Sequence, residues 1–146
     1  MNDTALTAKE YLSQAYRIDQ RINSKLEQVI ALRELTSKAT STLTDLPRAS
    51  SPNMNRMENI ITKIIDLENE INGEIDKLID LKREMRTVIN AVGSPEHAVI
   101  LELRYLCFKT WEQIAVEIGY SIQHIYRIHE QALKHIAVPK DARKCD

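Results

Sequence analysis

An all-α fold is what this sequence predicts, and three observations predict it. Only 3 glycines and 4 prolines are spread over 146 residues, too little turn material for a sheet protein. Ala, Leu, Ile, Glu, Lys, Arg and Gln dominate, while aromatic residues make up 5%. Over long stretches, apolar residues also recur at spacings of three and four, the period of a helix that buries one face. The length suits one domain, or a small domain with an extension.

The first helix is expected from about Thr4 to Ala39, a stretch without Gly or Pro. Its stripe is Leu12, Ala15, Ile18, Ile22, Leu26, Val29, Leu32 and Leu35, with Tyr11 and Tyr16 at the edges. From Ser37 to Asn55 the chain turns to Ser, Thr, Pro and Asn, and Pro47 and Pro52 push their preceding residues away from helix. A flexible loop at about 40–54 is therefore expected, with Arg48 a solvated loop charge.

A second helix should run from about Asn55 to Ala91. On a seven-residue repeat one column reads Met57, Ile64, Ile71, Leu78, Met85, Val92. The companion column, Ile60, Leu67, Glu74, Leu81, Val88, is broken only by Glu74. This is the seam of a coiled coil or a long helical hairpin. Such a helix is roughly 55 Å long and cannot bury its stripe alone. The first helix can fold back on it, or another subunit can. Ile61, Ile65, Ile79 and Ile89 widen the stripe beyond one seam, which favours a homo-oligomer. Gly73 allows a bend or a close helix crossing. The carboxylates Glu68, Glu70, Glu74 and Asp76 lack the Glu-x-x-His pairs of a di-iron bundle and read as a solvated face.

Ser94 and Pro95 cap and start a third helix, which the apolar run from Glu96 to Leu106 continues. Thr110 and Gln113 then form the capping-box pattern of a fourth, with Trp111, Ile114, Ala115 and Ile118 on its apolar face. Gly119 suits a left-handed helix exit, and Ser121 caps a fifth helix whose buried face is Ile125, Ile128, Ala132, Leu133 and Ile136. A small residue, a glycine four positions on, and two later isoleucines form the helix-turn-helix pattern, whose second helix enters the DNA major groove. The expected organisation is a helical hairpin or coiled coil over 1–92, a three-helix module over 93–138, and a tail over 139–146.

The stretch from Leu101 to Ile136 resembles the fourth region of bacterial sigma factors, where a leading helix precedes a promoter-reading helix-turn-helix. The residues LRYL, TWEQIA, GYS and IYRIHEQALK within it are similar to phage-encoded transcriptional regulators of the ArpU/RinA type. The resemblance covers about the last third of the chain and implies a transcriptional regulator of phage or prophage genes.

Opposite the buried isoleucines, Ile122, Gln123, Tyr126 and Arg127 are the expected base contacts. Gln123 matches adenine N6/N7 and Arg127 guanine O6/N7, while Ile122 or Tyr126 can pack on a thymine methyl. Lys109, Ser121 and His124 are the expected phosphate contacts. Trp111 reads as a core anchor, Cys107 as a small packing residue, and His129 and His135 as flanking or solvated. Lys and Arg only balance Asp and Glu over 96–146, so one copy should bind DNA weakly. Two copies, or tethering to RNA polymerase, would offset that.

Net charge is −1, which argues against a strongly basic nucleic-acid coat. No run approaches the ~20 apolar residues that span a bilayer, and the start lacks the pattern of a secretory signal. Two widely separated cysteines, Cys107 and Cys145, fit a reduced cytoplasmic protein. A glycine-rich phosphate loop, a nucleophile–histidine arrangement and a metal cluster are all missing from the sequence, so no enzyme and no cofactor is expected. A packaging (terminase) DNA-recognition subunit and a polymerase-binding adaptor are the alternative readings.

Overall fold

In the computed structural model, residues 6–44 and 52–142 are described, with side chains over 6–38 and 54–142. The fold is all-helical, and the described residues contain no strand. Five helices follow in order: α1 Ala8–Thr44, α2 Pro52–Asn90, α3 Pro95–Tyr105, α4 Trp111–Ile118 and α5 Ile122–Lys134. None of them is long and apolar enough to cross a membrane.

The first helix starts later and runs further than its periodicity suggests. Thr7 stops it on the amino-terminal side: its hydroxyl accepts from the Glu10 amide at 3.1 Å, and the Glu10 carboxylate accepts from the Thr7 amide at 3.0 Å. This is a reciprocal capping box written in the sequence as Thr7-Ala8-Lys9-Glu10. Helix α2 begins at Pro52, so the expected loop is shorter at both ends. Residues 45–51, including Arg48, lie outside the described residues, as does Cys145.

The chain forms two compact units, residues 20–76 and residues 1–19 with 77–146. In the first of these, α1 and α2 run antiparallel, as their cross-helix ion pairs require. The Arg21 guanidinium donates to Glu74 at 3.1 Å, Lys25 meets Glu70 at 3.4 Å and Glu74 at 3.7 Å, and Arg33 meets Glu68 at 2.6 Å. Ile22 and Val29 of α1 and Ile60, Ile64 and Ile71 of α2 are buried, and Leu67 is half-buried. Glu74, the one break in the seam, is thus not a solvated carboxylate. It is half-buried between two cations, which supply the charge its desolvation demands. Gly73 faces open space with nothing within 4 Å of a hypothetical Cβ, so no close helix crossing depends on it.

In the other unit, Leu6, Tyr11, Leu12 and Ala15 pack with Met85, Ile89 and Val92 and with Leu101, Tyr105 and Ala132 of the short helices. Tyr11 is no edge residue. It is fully buried, and its hydroxyl donates to Glu84 at 2.6 Å. Burial and that carboxylate both push the phenol well above its ordinary value. A second cluster, Ile100, Ile114, Ala115, Ile125 and Ile128, joins α3, α4 and α5, with Leu103, Trp111, Ile118 and Ile122 packed around it.

Between α3 and α4 the chain turns through Phe108, which takes a left-handed φ of 59°. For a bulky residue that conformation costs about 1–2 kcal/mol. The ring is held by the edge of Tyr16 at 5.5 Å and by the Lys82 ammonium 4.6 Å above it. Cys107, one residue earlier, is exposed and does not pack. The tight turn points the neighbouring phenyl inward instead.

Candidate nucleic-acid interface

The candidate interface is assembled from both ends of a short turn. Thr110 caps α4 with a complete capping box: its hydroxyl accepts from the Gln113 amide at 3.1 Å, and the Gln113 side chain accepts from the Thr110 amide at 2.9 Å. After the eight residues of the helix, Gly119 ends it at φ 87°, and its amide donates to the Ala115 carbonyl at 2.9 Å. Tyr120 donates to the same carbonyl at 3.1 Å. Extended backbone at Ser121 then opens α5, the serine oxygen accepting from the His124 amide at 3.2 Å. The cap, the glycine exit and the second cap are local events that the sequence specifies directly.

These local events set the direction of α5. Ile125, Ile128, His129 and Ala132 turn inward, while Gln123, His124, Tyr126, Arg127, Glu130, Gln131 and Lys134 are exposed. Gln123 and Arg127, one helical turn apart on the exposed side, make no hydrogen bond or ion pair with other described residues. Their amide and guanidinium donors are free for an external acceptor. Tyr126 is 43% exposed and set edge-on to Trp111 at 5.5 Å, which fixes its ring.

The other expected contacts are placed less openly. Ile122 is half-buried against the second cluster, so only part of its side chain faces out. The Ser121 oxygen is engaged in its cap. His124 stacks at a tilt on Tyr120, ring centres 4.6 Å apart, and the Tyr120 hydroxyl donates to Glu96 at 2.6 Å. That carboxylate raises the Tyr120 phenol above its ordinary value and ties the turn to the first turn of α3. Lys109 is half-buried and ion-paired with Glu117, while its carbonyl accepts from Arg104 at 3.0 Å. A phosphate at Lys109 would have to compete with Glu117.

Behind α5 lies a polar aromatic cluster built around His129, a residue expected at the flank or in solvent. His129 is buried, its Nε2 lies 2.7 Å from the Tyr105 hydroxyl, and its ring meets Trp111 at 4.6 Å. Desolvation lowers the imidazole to about 4, so it is neutral at pH 7. Burial also lifts Tyr105 to about 12. The Arg104 guanidinium covers the opposite side of the cluster, 4.5 Å over Trp111. The signal for His129 was present in the sequence: it stands four residues after Ile125, on the same helical face. His135 is exposed and stacks on His97 at 5.9 Å.

Among the described residues, no group of three His, Cys, Asp or Glu side chains is placed to hold a metal ion. What the exposed face of α5 offers is a set of hydrogen-bond donors and acceptors with two cations, Arg127 and, in the last turn, Lys134.

Residues 15–138 match the family described as Protein of unknown function (DUF722), and the chain belongs to that family. No curated protein and no solved structure matches the chain.

Proposed function

We propose that this DUF722 protein is a non-enzymatic, sequence-specific DNA-binding regulator of transcription, acting on phage or prophage genes in the host cytoplasm. In this reading α4, the turn at Gly119 and α5 are a helix-turn-helix, α3 is its supporting helix, and the long helices assemble the protein as a homo-oligomer. The observation that carries the reading is the pairing of a doubly capped turn with free, exposed Gln123 and Arg127 near the start of α5. Amino-terminal residues of a recognition helix reach base edges, and these two side chains are the types that read adenine and guanine bidentately. The sigma-like wording of the same segment supports the assignment to promoter-like DNA.

Tyr126 and the outer part of Ile122 add apolar contacts, and His124 and Ser121 lie where phosphate oxygens would pass. With Lys109 already paired, phosphate neutralisation by one copy is small, which is why two copies on one site form part of the proposal.

The test is selection of bound fragments from a random DNA pool at near-physiological salt, comparing the wild type with Gln123→Ala plus Arg127→Ala. An enriched motif that the double variant loses supports the reading and reports the half-site spacing. Enrichment of nothing by well-folded protein overturns it. Capture of RNA polymerase by protein that selects no DNA would favour an adaptor, and ring-sized assemblies would favour a packaging (terminase) subunit.

A further inference from the structure

Residues 20–76 bury one seam of α2 and leave a second one open. Ile61, Ile65, Glu68, Asn72 and Ile75 follow the four-three-four-three spacing of coiled-coil core positions, and they lie to one side of the buried Ile60, Ile64 and Ile71. The three isoleucines are 43%, 51% and 38% exposed. On α1, Leu26, Ile30, Arg33 and Ser37 repeat the same spacing, with Leu26 and Ile30 44% and 58% exposed. The two stripes belong to one face, because Arg33 and Ser37 share a groove with Ile61, Ile65 and Glu68. Five large apolar side chains thus flank a single ion pair, Arg33 to Glu68 at 2.6 Å.

We propose that this face is the homodimer interface, occupied by the same face of a second copy about a twofold axis that sets the two α2 helices antiparallel. The inference rests on the homo-oligomeric part of the functional reading and names its surface. The match of apolar and polar layers along the stripe selects the second copy, and avoidance of like charge sets its direction. A parallel pairing would oppose Glu68 to Glu68, a like-charge layer inside a seam. In the antiparallel register Ile65 meets Ile75 of the second copy, and Glu68 meets its Asn72, which can donate an amide hydrogen bond to the carboxylate. Apolar layers then lie on apolar layers and polar on polar, and the patch is self-complementary as an isologous contact requires. Each Arg33 stays at the rim beside its own Glu68, so no charge is buried without a partner.

The experiment uses the full chain with Cys107→Ser and Cys145→Ser as background, analysed by sedimentation at micromolar concentration. The expected mass is that of a dimer. Ile65→Glu, and independently Ile30→Glu on the other helix, should halve the mass with helical circular dichroism unchanged, since both side chains lie outside the buried seam. Adding Ile65→Cys and Ile75→Cys together should give a disulfide-linked dimer under oxidation, and Ile65→Cys alone should not. A monomeric background protein, a dimer indifferent to both glutamates, or efficient linkage by Ile65→Cys alone would each overturn the proposal. DNA selection on the same samples separates the two readings. A dimer that selects no DNA sinks the regulator and leaves this face standing, whereas a DNA-selecting monomer does the reverse.

Discussion

His129 shows how a single side chain acquires a pH-dependent role through packing alone. Its folded-state value, about 4, lies below the ordinary 6.5 because burial disfavours the charged ring. The unfolded chain therefore binds more protons between those two values. The stabilisation is full above pH 6.5 and is lost as pH falls toward 4, by on the order of 3 kcal/mol. Denaturant unfolding at pH 7 and pH 4.5 should show this loss, and His129→Gln should flatten that part of the profile. Two glycines make a complementary pair. Gly119 holds φ 87°, so Gly119→Ala should cost about 1–2 kcal/mol. Gly73 lies mid-helix in open space, so Gly73→Ala should stabilise by about 1 kcal/mol. Thermal unfolding of the two variants should shift in opposite directions.

At the scale of elements, the helix starts are chemical and the helix partners are not. Thr7, Ser94, Thr110 and Ser121 each accept a backbone amide at a helix amino terminus, and Thr7 and Thr110 do so reciprocally with Glu10 and Gln113. Thr110→Ala should cost about 1 kcal/mol in the same unfolding assay. It should also weaken DNA selection only modestly if the turn survives. Three of these caps are among those expected from the sequence; the fourth, Thr7, belongs to the same Thr-x-x-Glu pattern. By spacing alone the carboxylates of α2 form one solvated face. Glu74 is instead held by Arg21 and Lys25, 53 and 49 residues away in sequence, and spacing along one helix carries no trace of that partner. Glu74→Ala should destabilise by about 1–3 kcal/mol, more than any neighbouring exposed carboxylate.

For the whole molecule, a net charge of −1 places strong limits on the proposed DNA contact. Affinity that came from phosphates would need many cations, and the exposed side of α5 carries Arg127 and Lys134 beside Glu130. A single copy should therefore show a shallow dependence of affinity on salt. If two copies share one site, the logarithmic salt slope of the wild type should be about twice that of monomeric Ile65→Glu, because counterion release scales with phosphate contacts. Equal slopes would mean that the second copy does not touch the DNA. The division of the chain bears on the same point. Residues 1–19 and 77–92, which periodicity groups with the long helices, belong to the unit that contains α3, α4 and α5.

The sequence by itself determined the helical class, the seam of α2, the bounds of α3 and the capped turn around Gly119. Each depends on residues within a few positions of one another: a stripe at helical spacing, a hydroxyl three residues before an amide, a residue without a Cβ where φ must be positive. Only tertiary structure decided that the Tyr11 hydroxyl is buried against Glu84, that Cys107 is exposed, and that Lys109 is paired with Glu117. It also decided that a second row of isoleucines is left uncovered. Those outcomes depend on what an element packs against, and the partner stands on another element, 8 residues on for Lys109 and 73 for Tyr11, where no helical spacing records it.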